Sequence, residues 1–292
     1  MKVAIASGKG GTGKTMVTAS LSATWESPVV AVDLDVEEPN LHLFLKPEWT
    51  GRQDALIEVP RVDEEKCDYC RKCADLCQFK AISVLSTVVM VFPEMCHGCG
   101  GCMAVCPKGA ITAGTRTLGE ITWGHSGDNA FLMGRLRVGE AMSPPLIREV
   151  QAQLARSDLF NPAADVLMDA PPGVSCPAVN AVIDSDVIVL VTEPTPFGVF
   201  DLRLAHQAFL PLNKPMGVVV NRAGLGNDEV YGFCRGAGLP ILAEIPYDRA
   251  IAEAYADGDI VARRNPQWRE MFGQLARAIQ ALGAMTREAR HA

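Results

Sequence analysis

The sequence predicts an α/β chain: a doubly wound, mostly parallel sheet interrupted by a small cysteine-rich α+β domain. Three observations predict it. Short apolar runs alternate with segments of helix length, a glycine-rich loop joins the first run to the first helical segment, and eight of the ten cysteines fall within one internal stretch.

The apolar runs are Val3 to Ser7, Val29 to Asp33, Val166 to Asp169, Val187 to Thr192, Met216 to Asn221 and Ile241 to Ile245. They are apolar at successive rather than alternate positions, so both faces must be covered, as in a parallel sheet with helices on either side. A length of 292 residues admits one large α/β domain or two smaller ones. With 48% apolar and 21% charged residues, a disordered chain is excluded. A net charge of -7 leaves no broad cationic footprint, so no nucleic-acid partner is expected. No apolar run reaches the roughly 18 residues of a spanning helix, so no stable membrane insertion is expected. The glycine-rich loop begins at Gly8, leaving no room for a signal peptide before it, and a cytoplasmic location is expected. In that reducing compartment the cysteines read as metal or redox ligands rather than disulfides.

The loop Gly8-Lys9-Gly10-Gly11-Thr12-Gly13-Lys14-Thr15 fits G-x-x-x-x-G-K-[ST] between a strand and a helix, the P-loop context. Its glycines turn successive backbone N–H groups onto phosphate oxygens, and the following helix adds its positive dipole end. Lys14 would neutralise the β and γ phosphates, and Thr15 would offer a hydroxyl to Mg2+. ATP or ADP with Mg2+ is therefore the expected ligand.

The cysteine stretch is an internal repeat. Cys67, Cys70, Cys73, Cys77 and Ala81-Ile82 recur 29 residues later as Cys96, Cys99, Cys102, Cys106 and Ala110-Ile111. Each half reads C-x2-C-x2-C-x3-C, and the second runs on into Pro107 where the first has Gln78. This resembles the bacterial two-cluster ferredoxins and implies two [4Fe-4S] clusters, the fourth cysteine of each run serving the other cluster. The first would use Cys67, Cys70, Cys73 and Cys106, the second Cys96, Cys99, Cys102 and Cys77. Two tetrathiolate zinc sites are the competing occupancy, although zinc motifs pair C-x2-C knuckles across a longer gap. His97 is not needed as a ligand; it either tunes the second cluster from beside it or is simply exposed. The domain boundaries expected are 61–112 for the insert, with 1–60 and 113–292 forming the surrounding domain.

With Lys9 included, the loop resembles the deviant Walker A motif of the MinD, ParA and nitrogenase iron protein group. The resemblance implies that Lys9 reaches the partner's nucleotide in a nucleotide-dependent homodimer. Val32-Asp33-Leu34-Asp35 and the residues after it resemble that group's switch I, which makes Asp33 and Asp35 candidates to orient magnesium-bound and attacking waters. Asp169-Ala170-Pro171-Pro172-Gly173 resembles its Walker B and switch II segment, with Asp169 holding a magnesium water and the Gly173 amide sensing the γ-phosphate. Gly173 stands where the nitrogenase iron protein has a further aspartate, so water activation falls to Asp35. Asn221, Arg222 and Pro246 resemble residues that frame adenine. Cys176 has the offset of that protein's cluster cysteine, which implies a place near the dimer axis and switch II, but no second candidate lies near Met142, so a bridging cluster is not expected; the alternative for Cys176, and the reading for Cys234, is a buried structural thiol. The stripe Trp268, Met271, Phe272, Leu275, Ile279 and Leu282 lacks a basic polar face and is expected to pack on the core rather than on a membrane.

The resemblances together imply an ATPase that couples dimerisation to electron transfer through the clusters, toward an unidentified redox partner. The alternatives are a carrier delivering clusters to an apo-acceptor, and a MinD-like positioning or partner-binding switch.

Overall fold

The computed structural model describes residues 1–156 and 158–291, with side chains described through residue 284 apart from 157. The chain opens with β1 (Lys2–Ala6), α1 (Lys14–Thr24), β2 (Val29–Asp33) and α2 (Leu41–Leu45). Then β3 (Glu48–Val62) leads into the cysteine stretch, which contains α3 (Lys72–Leu76), β4 (Ile82–Leu85), β5 (Val88–Val91) and α4 (Gly101–Ala104). The chain continues with β6 (Ile111–Ser126), β7 (Asn129–Leu136), α5 (Ser143–Gln153), β8 (Asp165–Asp169) and α6 (Cys176–Val182). Next come β9 (Val187–Thr192), α7 (Pro196–Phe209), β10 (Met216–Ala223), α8 (Glu229–Ala237) and β11 (Ile241–Pro246). Three helices finish it: α9 (Arg249–Ala256), α10 (Val261–Arg264) and α11 (Pro266–His291).

The sheet order is β11-β10-β9-β1-β8-β2-β7-β6-β3. All six apolar runs are strands in it, and the pairs from β11 through to β7 are parallel. Only two residues, Gly127 and Asp128, join neighbours β6 and β7. So short a link forces an antiparallel pair. The sheet is therefore mostly parallel, as its sequence predicts.

Covered strands explain the apolar runs. Val3 and Ile5 join Met16 and Leu21 of α1, Ile260 and Val261 at α10, and Trp268, Phe272, Leu275 and Ile279 of α11 in one core. Ala4 and Ala6, pointing the other way, are equally buried, and α6 packs on β1 there. The C-terminal stripe thus lies in the core, with Met271 and Leu282 packed against it. No helix among the described residues is long and apolar enough to cross a membrane.

The chain divides into two compact units. One comprises Met1–Arg52, Ile121–Arg135 and the chain from Ile147 onward; the other comprises Gln53–Glu120 with Leu136–Leu146. The second unit extends past 61–112 on both sides because β3 and β6 are long, a feature the apolar-run pattern did not reveal. Along β3 exposure largely alternates, with Ala55, Ile57 and Val59 buried between outward-facing residues. A strand covered on one face carries no continuous apolar signal. Segment Leu136–Leu146 joins this unit through Glu140, whose buried carboxylate pairs with the Arg116 guanidinium, while Arg116 Nε donates to the Pro93 carbonyl at 2.8 Å. Its apolar core is small: Ile57, Val59, Ile82, Val84, Ile111 and Leu118 are its main buried side chains. A unit of this size gains stability from bound metal.

Candidate functional site

The glycine-rich loop leaves β1 and turns into α1 at Gly13, whose φ of 96° is left-handed. Only glycine adopts this without strain, and a Cβ there would lie 2.4 Å from Asn221 Nδ2. That amide in turn donates to the Thr12 carbonyl at 2.8 Å, tying the loop to the end of β10. Replacing Gly13 with Ala is expected to cost about 1–3 kcal/mol, read as a lower denaturation midpoint and weaker nucleotide binding. At Gly8 the reason is packing, since a Cβ would strike the Asp201 carbonyl oxygen of α7 at 2.1 Å. Gly10 and Gly11 instead face open space, and Thr12 Oγ1 is buried with no hydrogen-bond partner among the described residues. An open loop beside an orphaned hydroxyl and the buried Lys14 suits a phosphate chain.

Thr15 Oγ1 donates to Asp169 Oδ2 at 2.6 Å, and Thr18 Oγ1 reaches Asp169 Oδ1 at 3.3 Å. The ends of β2 and β8, paired at Asp33 and Asp169, bring three carboxylates to this point. Asp33 spends both oxygens on backbone amides: Oδ1 accepts from Asp35 at 3.0 Å, and Oδ2 from Asn40 and Leu41 at 3.0 and 2.9 Å. It therefore shapes the segment after β2. Asp35 is half-buried, near enough to Lys14 and Asp169 to feel both charges. Gly173, at φ 93°, donates its N–H to the Ser7 carbonyl at 2.9 Å.

Burial, and then mutual repulsion, pushes these acids up. Asp35 rises to about 6 through burial and then the charge of Asp169, with Lys14 opposing. Asp169 also rises to about 6 through burial, again opposed by Lys14. Asp33 lies well above its ordinary value, from burial first and then Asp169. Crowded oxygen donors of this kind fit a divalent cation, which would relieve the repulsion. Because the folded values exceed the ordinary 3.8, the folded state holds more protons. The stability this contributes is complete below about 3.8 and lost as pH rises through about 6. The nucleotide-free protein is expected to lose several degrees of thermal midpoint between pH 5 and 7 from these groups, and Mg-ADP is expected to flatten that slope, as calorimetry can check.

A cleft of about 490 Å3 opens beside the loop, lined by Gly11, Gly13, Asn221, Arg222 and Pro246 together with Met16, Tyr247, Ile251 and Tyr255. The last four escaped the sequence reading. Aromatic residues just after a strand end were the available signal. Glu193, at the end of β9, was missed too. Nearly buried, it accepts from Arg222 Nη1 at 2.9 Å and lies 3.7 Å from Lys9 Nζ, so Lys9 is held within its own chain.

In the cysteine stretch the repeat is visible in the backbone. Tyr69 and Gly98 have φ of 56° and 65°, Arg71 and Gly100 have 67° and 69°, and Lys80 and Gly109 have 56° and 58°. Cys67 Sγ accepts from the Tyr69 amide at 3.4 Å as Cys96 Sγ does from Gly98 at 3.5 Å. Cys77 and Cys106 each accept, from Ala81 and Ala110, at 3.3 Å. Cys67, Cys70 and Cys73 line a narrow cavity with Cys106, walled by Val62, Val84, Val89 and Ile111. Cys96, Cys99 and Cys102 line a wider one, of about 250 Å3, with Cys77. Among the described residues no three His, Cys, Asp or Glu side chains converge closely enough to hold one ion. The thiols surround spaces instead of meeting at a point. Four cysteines lining each cavity, two in each quartet receiving amide hydrogen bonds at sulfur, are a donor set that fits an iron-sulfur cluster. Burial pushes the Cys73 and Cys102 thiols, repeat partners, above their ordinary value, so bound iron would have to hold them as thiolates.

His97 stacks on Phe79 at 3.5 Å between ring centroids, beside the wider cavity. Cys234 is buried in α8, and burial raises its thiol to about 11, in keeping with a structural role. Cys176 corrects expectation: it is exposed at the first position of α6, because Ser175 and Pro177 start that short helix at the surface.

Comparison with known proteins gives the same core. An uncharacterised protein of Methanocaldococcus jannaschii is 30% identical over 91% of this chain and 93% of its own length. A second from that archaeon is 31% identical over 94% and 95%. Over a stretch covering only 18% of this chain and 8% of the relative, the chain is 45% identical to indolepyruvate oxidoreductase subunit IorA of Methanothermobacter marburgensis. Among solved structures, the cell division ATPase MinD of Pyrococcus furiosus superposes with TM-score 0.58 at 23% identity, covering 96% of this chain and 98% of that one. The septum site-determining protein MinD of Pyrococcus horikoshii, complexed with Mg-ADP, superposes with TM-score 0.59 at 22% identity, covering 94% and 93%. A family model described as the CobQ/CobB/MinD/ParA nucleotide binding domain matches residues 3–261. With that match running through the phosphate loop, the Asp169 strand and the adjoining cleft, the chain belongs to the CobQ/CobB/MinD/ParA nucleotide-binding family.

Proposed function

We propose that this chain is a cytoplasmic ATPase in which nucleotide-driven homodimer closure is coupled to electron transfer through two [4Fe-4S] clusters, held in a domain spanning 61–112 within an ATPase domain of 1–60 and 113–292. One observation carries the reading. The same chain contains a phosphate loop with Thr15 bound to Asp169 and two cavities each lined by four thiols.

At the nucleotide site, Lys14 neutralises the β and γ phosphates while loop amides from Gly10 to Thr15 cradle them. Thr15 and Asp169 would hold Mg2+, which would supply charge neutralisation of the phosphates. Asp35 orients a water onto the γ-phosphorus; the new P–O bond forms as the bond to the β–γ bridging oxygen breaks, giving ADP and phosphate. Gly173, on the segment after β8, senses the γ-phosphate, and Asn221, Arg222 and Pro246 frame the adenine. Lys9 leaves Glu193 to reach the second subunit's nucleotide. The eight cysteines of the two runs would hold the clusters, which would supply one-electron transfer to a redox partner. ATP moves this equilibrium only as far as it binds the closed form better than the open one.

A second reading, delivery of clusters to an apo-acceptor protein, is favoured by the exposure of Cys70 and Cys99. The deciding experiment is a potentiometric EPR titration of anaerobically purified protein, alone and with a non-hydrolysable ATP analogue. Two clusters per chain whose potentials or transfer rates move with nucleotide are expected. Identical values in both states would remove the coupling, and iron passing quantitatively to an apo-protein would favour the carrier.

A further inference from the structure

The two thiol quartets are built by one repeat but edged by different chemistry. Arg71 and Lys72 line the first cavity, whereas their repeat partners Gly100 and Gly101 line the second. The same inversion holds two residues after each crossing cysteine. Phe79, after Cys77, lines the second cavity and stacks on His97, while its partner Lys108 follows Cys106 at the first.

Asp68 is the acid in the first cavity's lining, against Arg71 and Lys72 within it and Lys108 two residues beyond Cys106. All three cations are exposed, and no acid lies within salt-bridge distance of them among the described residues. The second cavity instead has Glu58 and the stacked rings of Phe79 and His97. Arg71 is placed at a further cost, because its φ of 67° is left-handed, where its partner is glycine.

We propose that the rim formed by Arg71, Lys72 and Lys108 over the first thiol quartet is the docking surface for an acidic electron-carrier protein. The inference rests on the cluster reading above. Opposite charges on the two surfaces steer encounter and set orientation, and the association weakens with salt. With Arg71 and Lys72 on one rim and neither Lys nor Arg on the other, the two quartets have separate roles, and only the first is addressed by the acidic carrier.

The test uses the full chain, purified anaerobically, with an acidic flavodoxin as the probe in calorimetric titrations at low and moderate salt. Iron and sulfide are assayed first on the same sample. Binding that weakens at least tenfold with salt is expected, with a further tenfold loss in the triple variant Arg71→Gln, Lys72→Gln, Lys108→Gln at unchanged iron content. Phe79→Gln, on the other rim, is expected to bind as the parent does. Flavodoxin binding untouched by the triple change, or lost in Phe79→Gln, overturns the assignment. So does a short DNA duplex that binds more tightly than flavodoxin and is lost in the triple variant. A sample lacking iron and sulfide refutes the cluster reading itself, whereas an iron-loaded sample with salt-insensitive binding refutes only the rim.

Discussion

Replacing Cys106 with Ser is expected to empty the first thiol quartet, not the second, although Cys106 belongs to the second run. Cys106 lines the cavity of Cys67, Cys70 and Cys73. Under the cluster reading, iron falls from about eight to about four per chain, and the surviving EPR signal is that of the quartet containing Cys77. Bound metal would stabilise the small core of this unit, so on that reading a lower unfolding midpoint accompanies the loss. Cys176→Ser, at an exposed position outside both cavities, is the matched control and should leave iron unchanged. Loss of both signals, or of the second alone, would show that the thiols are shared differently.

Lys14→Ala carries the other large effect. The ammonium is buried between the phosphate loop and the acids, where it holds Asp35 and Asp169 down against burial. Removing it deletes the main cation facing the phosphates and lets both carboxyls rise further. MgATP affinity is expected to fall by about 100-fold or more, on the order of 3 kcal/mol, with hydrolysis lost at any practical concentration. Equilibrium binding by calorimetry checks it. Unchanged affinity would place the phosphates elsewhere. Cluster iron should be unaffected, which separates a nucleotide defect from general misfolding.

The doubly wound sheet was legible because its strands are buried on both faces, and a residue string such as Val187 to Thr192 has no other stable home. The nucleotide loop was legible because its geometry needs glycine at fixed places: Gly13 sits at φ 96° and Gly8 meets the Asp201 backbone. The repeat showed the thiols in two equal runs. Less was readable where one residue serves two environments. Strand β3 largely alternates between buried and exposed positions and β6 mixes them, so neither carries a continuous apolar run and the length of both was hidden. Cys176 looked like any internal thiol and proved to be exposed.

By itself the sequence determined which chemistry is present: a phosphate loop, an aspartate-tipped strand and two cysteine runs, each set by local spacing that the backbone cannot vary. Only the tertiary structure decided which groups meet. Asp169 reaches Thr15 across 154 positions, Glu193 restrains Lys9, and Tyr247 and Tyr255 wall the cleft beside Asn221. Local spacing fixes a residue's own loop or helix, but distant residues become neighbours through strand order and register, and no window of sequence contains those.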